Sequence, residues 1–196
     1  MLVPSTGMDR AWWRERRWVA FGAYVTVVFV TVPFANQVVL ALRNTDMLGA
    51  TVTGSYAVAV AGVVYYVLFN RRLADWVAFA VVAALLCVVT VLLLGLSIPE
   101  ERVHFLQYGS MALLARSALS RGADGHATRS LLLALALTGT LGLLEECLQS
   151  LVPRRLFDWR DVAMDAGAAL TALFLDELLH DRLRLRQRQE TPGEAP

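Results

Sequence analysis

The chain has 196 residues, of which 57% are hydrophobic and only 18% are charged, with a formal net charge of +1. Soluble domains carry about 25% charged residues, so this composition argues against an ordinary soluble domain and indicates a membrane protein. The two cysteines lack the spacing of a redox or metal motif, which leaves packing as their role.

Three charge-free apolar runs come first in the chain, at residues 18–42, 47–70 and 76–99. Each is longer than the roughly 20 residues that a helix needs to cross a bilayer. A segment in hydrocarbon must satisfy its own backbone hydrogen bonds, so these runs are predicted helices. The first run follows basic residues, as a secretory signal does. It is too long for such a signal and lacks a cleavage site, so we expect it to be retained, after a cytoplasmic segment at residues 1–17.

Three weaker helical segments follow at residues 103–119, 130–152 and 161–179, and polar side chains interrupt each of them. The predicted fold is therefore an all-α, polytopic integral membrane bundle of about six transmembrane helices, covering residues 18–180. Short spans with polar ends leave five or seven spans open as alternatives. Residues 181–196 are predicted to form a disordered cytoplasmic tail that is attracted to anionic lipid, in preference to nucleic acid.

The arginines give this bundle an orientation. With six spans, most of the 18 basic residues fall on the side of the two termini. The positive-inside rule then places both termini in the cytoplasm. The connections at residues 97–104 and 152–161 consequently share the outer face, so we expect their polar residues to be neighbours.

The fourth span opens with helix-start signals. Ser97 and Glu100 have the spacing of a capping box, and Pro99 lies in the predicted first turn. His104 and Tyr108 then lie four residues apart, on one face of the helix. Taken alone, such a histidine is a hydrogen-bonding residue of the interface more often than a ligand or a base.

The fifth span ends in a polar edge. Glu145 and Glu146 both share a helical face with Gln149, and acids at this depth need a partner or a wet cavity. Pro153 is predicted to end the helix. Arg155, together with the arginine before it, supplies the expected counter-charge.

The sixth span opens with aspartates at spacings of three and four, namely Asp158, Asp161 and Asp165. Alanines and a glycine follow them, and small residues let a helix approach its neighbours closely. Two interpretations of the polar residues stay open. They form either an interhelical salt-bridge network or a functional polar site.

The combined pattern resembles the VanZ-like family of bacterial membrane proteins, whose name comes from teicoplanin resistance. The resemblance covers residues of about 99–170. It rests on a histidine with a tyrosine four residues on, then Glu-x-x-Gln, then Arg-x-x-Asp-x-x-Asp with a polar residue four further on. These motif positions are His104, Tyr108, Glu146, Gln149, Arg155, Asp158, Asp161 and Asp165.

The chain departs from the family pattern at three places. Glu101 stands where a basic residue is common, Asp165 where asparagine is common, and Ala168 where glycine is common. The additional charge of Asp165 makes an acidic face more acidic, so we expect it to need a partner.

The resemblance implies a bacterial envelope protein of the cytoplasmic membrane that affects glycopeptide susceptibility. One hypothesis is an enzyme that acts on a lipid-linked substrate, with His104, Glu146 and Asp161 as candidate catalytic residues. Another is a non-catalytic protein that modulates access of the antibiotic, and a small transporter is a weaker third. The candidate binding residues are Tyr108, Gln149, Arg155, Asp158 and Asp165. No metal site is predicted and the cofactor is unknown. The expected partners are membrane lipid and a cell-wall precursor or a glycopeptide, and not nucleic acid.

Overall fold

The computed structural model describes residues 7–65, 99–120, 127–153 and 155–190, with isolated positions between 80 and 95. Five helices have described bounds: α1 (Gly7–Asn44), α2 (Leu48–Tyr65), α3 (Pro99–Leu119), α4 (Ala127–Gln149) and α5 (Trp159–Glu190). The prediction of an all-α fold is confirmed for this part of the chain. Only scattered positions of the third predicted span, at residues 76–99, lie inside it.

Two of the described helices are long and apolar enough to cross a membrane, at Glu15–Ala35 within α1 and Thr128–Gln149 within α4. A shorter apolar helix covers Leu48–Gly62. These segments agree with three of the apolar segments found in the sequence. The count of six spans stays a prediction, as do the positions of the termini.

The ends of the helices follow local signals. α1 ends in a tight turn at Asp46, which adopts a positive φ of 55°. Such a left-handed residue is a common helix terminator, and the backbone N–H of Met47 donates to the carbonyl of Leu42 at 2.9 Å. α3 begins at Pro99, and α5 begins one residue after Asp158. The Asp158 carboxylate accepts a hydrogen bond from the backbone N–H of Arg160 at 2.8 Å, as an N-cap does.

Two helix boundaries differ from the sequence prediction. α4 ends at Gln149, several residues before the proline that was expected to end it, and a short turn follows. α5 continues to Glu190, well into the segment at 181–196 for which the sequence predicted disorder.

The core lies where α3, α4 and α5 meet, with α1 against α3. α3 packs most extensively against α5, and small residues line this contact. Ala112 and Ala115 of α3 and Ala168 and Ala169 of α5 are fully buried. A Cβ built on Gly109 would lie 3.6 Å from the Cβ of Ala172, so the two helices approach closely there. The predicted close approach of the alanine-rich helix is therefore confirmed.

Candidate functional site

Polar side chains are buried at one end of the three-helix core, around the end of α4 and the start of α5. We call this group the polar cluster. α3 contributes His104, Gln107 and Tyr108; α4 contributes Glu145, Glu146 and Gln149; and α5 contributes Asp165. The sequence placed the motif residues of these three helices in one neighbourhood, and the structure brings most of them together.

Glu145 is the most highly connected residue of the polar cluster. Its Oε2 accepts hydrogen bonds from the Tyr108 hydroxyl at 2.5 Å and from Gln107 Nε2 at 2.8 Å. Its Oε1 accepts a third, from Gln149 Nε2 at 2.8 Å. A buried carboxylate with three donors is well compensated for the loss of water. This carboxylate therefore ties α3 to α4.

His104 and Asp165 form a second contact, between α3 and α5. Nδ1 of His104 lies 3.2 Å from Oδ1 of Asp165, and both side chains are buried. The imidazole also lies parallel to the Tyr108 ring, with centroids 6.4 Å apart. If Nδ1 donates to the carboxylate, Nε2 is the ring atom that can accept a proton from a ligand.

Gly142 of α4 makes room for this arrangement. A Cβ at this position would lie 2.9 Å from Oδ2 of Asp165 and 3.2 Å from Cε1 of Tyr108. Contacts under 3.0 Å require a neighbour to move. Because Gly142 has no side chain, Asp165 and Tyr108 can both pack against α4 at this position.

Glu146 connects the polar cluster to the segment between α4 and α5. Its Oε2 accepts a hydrogen bond from the backbone N–H of Asp158 at 3.0 Å. Asp158 therefore uses its backbone to contact the polar cluster, and its carboxylate caps α5. Only 1% of the Glu146 surface is exposed, although the neighbouring Leu151 and Leu156 are among the most exposed apolar residues.

Two predicted site residues lie at the margin of the polar cluster. Asp161 is half-buried and influences His104, Glu146 and Asp165 electrostatically. It makes no hydrogen bond or ion pair within the described residues. Arg155 also acts on Glu146 electrostatically, with the opposite sign to Asp161. No ion pair of Arg155 with Glu145 or Glu146 is formed in the described part of the chain, and the arginine before it, expected to share this role, lies outside that part. The Glu145 carboxylate is occupied by neutral donors instead.

Two carboxylate oxygens of the polar cluster have no donor among the residues that the structure describes. They are Oε1 of Glu146 and Oδ2 of Asp165, and both are fully shielded from solvent. Burial of an acceptor without a donor costs about 1–3 kcal/mol. The two atoms mark the incomplete part of the polar cluster.

The sequence did not select every residue of this site. Gln107 and Gly142 were not predicted, and Glu145 was placed on one helical face with Gln149 but not counted among the candidate site residues. The i, i+4 spacing of Glu145 and Gln149 is the signal that identifies this hydrogen bond in advance. No group of three or more His, Cys, Asp or Glu side chains is arranged to hold a metal ion within the described ranges.

A second ionic group lies at the other end of α3, about 18 Å away along the helix axis. Arg116 donates to Asp176 at 2.9 Å and also pairs with Glu177, both on α5. Nearby, Arg17 of α1 donates to the carbonyl of Ser117 at 3.3 Å. In the sequence, Arg116 counts only as a basic residue of the fourth span that helps to orient the bundle, and this ion pair was not predicted.

Comparison of the chain with models of protein families, with curated proteins and with solved structures found no match.

Proposed function

We propose that this chain is a multi-pass protein of the bacterial cytoplasmic membrane, with both termini in the cytoplasm. The distribution of polarity supports this proposal. Large apolar side chains such as Val30, Phe34, Leu133 and Leu144 are exposed on α1 and α4, whereas ionisable side chains are buried between the helices. Extensive exposed apolar surface is unusual in a soluble monomer, and a lipid bilayer would cover it.

Thiol labelling tests this topology. The cysteine-free variant serves as the background, and single cysteines are placed at Thr45, Leu156 and Glu15, all of which are exposed. A membrane-impermeant maleimide added to intact cells should label Thr45→Cys and Leu156→Cys. Glu15→Cys should react only after the membrane is opened. Labelling of Glu15→Cys in intact cells, or protection of Leu156→Cys, would refute the orientation.

We further propose that the polar cluster binds or modifies an envelope component at the outer face and thereby affects teicoplanin susceptibility, as in the VanZ-like proteins that residues 99–170 resemble. The observation that carries this proposal is the incomplete hydrogen bonding of Glu146 and Asp165. A purely structural network would be expected to satisfy its buried acceptors. His104 is the candidate base, oriented by Asp165, while Asp161 lies at the margin, where a ligand can reach it.

The alternative function is structural. Glu145, with its three donors, favours an interhelical network that only maintains the shape of a non-catalytic protein or of an antibiotic-access modulator. The three hydrogen bonds of Glu145 support the structural function, whereas the unpartnered oxygens of Glu146 and Asp165 support a binding or catalytic site.

A susceptibility experiment separates the two functions. The native chain, His104→Ala and Asp161→Asn are expressed in a strain that lacks the protein, and the amount of each in the membrane is measured. Cys147→Ser serves as the control, because Cys147 is exposed and adjacent to Glu146. A functional site predicts normal accumulation with lost teicoplanin phenotype in the first two variants. A structural network predicts loss of the protein itself.

The pool of lipid-linked cell-wall precursors in the deletion strain distinguishes an enzyme from a binding protein. Catalysis predicts that the unprocessed precursor accumulates when the gene is deleted. An unchanged pool, together with a changed susceptibility, would favour the non-catalytic function.

A further inference from the structure

The unpartnered oxygens of Glu146 and Asp165 differ from the other acceptors of the polar cluster. In each of these side chains one oxygen has a partner, namely the Asp158 backbone N–H for Glu146 and the His104 ring for Asp165. The second oxygen has none in the part of the chain that the structure describes. Only 1% of each of these residues is exposed, so bulk water does not replace the missing donor.

Among the described residues, the polar cluster also holds more acidic than basic side chains, and Arg155 acts on Glu146 without forming an ion pair with it. The cluster contains the three carboxyl groups of Glu145, Glu146 and Asp165, with Asp161 at its margin. His104 is the one ionisable cationic side chain that contacts a carboxylate of the cluster within the described residues. Buried carboxylates are stable when they are paired with a cation or receive several hydrogen bonds. A ligand that supplies both a positive charge and N–H donors would complete the cluster.

The two oxygens belong to residues near one end of the helix bundle. Glu146 lies within one turn of the end of α4, and Asp165 lies about 9 Å along α5 from its first residue. Leu156 in the segment between the two helices and Trp159 at the start of α5 are exposed, and under the proposed topology they lie at the outer interface. A headgroup or another envelope component would approach from this side.

We propose, on the basis of the proposed function, that the polar cluster binds the protonated primary amine of an envelope component. The ammonium group donates hydrogen bonds to Oε1 of Glu146 and to Oδ2 of Asp165. A primary ammonium carries three N–H donors and one positive charge, so it supplies what both oxygens lack. A quaternary ammonium has the same charge without an N–H donor, and it satisfies neither oxygen.

The difference between primary and quaternary amines provides the test. The full-length protein is placed in nanodiscs of phosphatidylcholine alone or of phosphatidylcholine with phosphatidylethanolamine, and its thermal midpoint is followed by tryptophan fluorescence. In a second arm, methylammonium or tetramethylammonium chloride is added to the phosphatidylcholine discs. The primary amine should raise the midpoint by about 5 °C at saturation, whereas the quaternary amine should not.

Variants connect this shift to the two oxygens. Glu146→Gln and Asp165→Asn should each lose the shift, because an amide removes the negative charge and one acceptor. Glu15→Gln should retain it, since Glu15 is an exposed acid of α1 outside the polar cluster. Should one cluster variant fail to accumulate, the other answers the same question.

The two arms distinguish the source of the amine. A shift with phosphatidylethanolamine alone identifies a lipid headgroup, and a shift in both arms identifies any accessible primary amine; either result supports the proposal.

The proposal is overturned if neither arm shifts the midpoint, or if Glu146→Gln and Asp165→Asn respond as the native chain does. The proposed function is judged separately, by teicoplanin susceptibility of the His104→Ala and Asp161→Asn strains. Loss of that phenotype without an amine-dependent shift would leave the proposed function standing and remove the ammonium ligand alone.

Discussion

Gly142→Ala tests the packing of the polar cluster most directly. The added methyl group would lie 2.9 Å from Oδ2 of Asp165 and 3.2 Å from Cε1 of Tyr108. Neither neighbour withdraws freely, because Asp165 is held by His104 and Tyr108 by Glu145. Overfilling a packed site costs about 1–3 kcal/mol. Alanine in place of a helical glycine contributes about 1 kcal/mol in the opposite direction.

Gly139→Ala is the matched control, because Gly139 lies about one turn earlier in α4 and a Cβ there meets nothing within 4 Å. This variant receives the helix-propensity gain without the clash. The two variants should therefore differ by about 1–3 kcal/mol in the free energy of unfolding, which corresponds to roughly 2–12 °C in the thermal midpoint for a chain of this size.

The assay is thermal unfolding of the purified variants in one detergent, followed by tryptophan fluorescence. Gly139→Ala should unfold at or above the native temperature, and Gly142→Ala clearly below Gly139→Ala. Equal midpoints for the two variants would refute the close approach of α4 and α5 at Gly142, and with it the placement of Asp165 against Tyr108.

Two further substitutions test the contacts between helices. Tyr108→Phe removes one of the donors to Glu145 and should lower the free energy of unfolding by about 1–2 kcal/mol. Tyr24→Phe is the control: the native Tyr24 hydroxyl donates to a backbone carbonyl at 3.2 Å, and its loss should cost no more than about 1 kcal/mol. Equal losses of unfolding free energy in the two variants would contradict the interpretation of Glu145 as the most highly connected residue of the polar cluster. Arg116→Met leaves two carboxylates of α5 without their cation and should cost about 1–3 kcal/mol, reduced from the fully buried case because those carboxylates are partly exposed. An unchanged midpoint would show that this ion pair does not hold α3 to α5.

The positions of the helices could be predicted from local features of the sequence. The apolar runs locate α1, α2 and α4, Pro99 starts α3, and Asp158 caps α5. These features depend on residues within one or two turns of each other, so a single sequence contains them. The predicted ends of α4 and α5 were less accurate, because no local signal fixes the residue at which the last turn of a helix stops.

The partners across helices could not be predicted in the same way. Glu145 receives hydrogen bonds from α3, whose residues are 37 and 38 positions earlier in the chain. Arg116 reaches acids of α5 that are 60 and 61 positions later. Helical spacing shows which residues share a face, but the rotation of each helix about its own axis decides which faces meet. That rotation depends on the packing of small residues such as Gly109 and Gly142, whose role is visible only in the assembled core.

Glu145 and Glu146 illustrate why neighbouring acids can take different roles. Consecutive residues of a helix point about 100° apart, so the two carboxylates face different partners. Glu145 faces α3 and receives three neutral donors, and any ligand would have to compete with all of them. Glu146 faces the start of α5, where one backbone N–H donates to one of its oxygens and the other oxygen has no donor among the described residues. The same pair of residues thus fits both interpretations of the sequence: the three donors of Glu145 fit a stabilising network, and the unpartnered oxygen of Glu146 fits the proposed binding site.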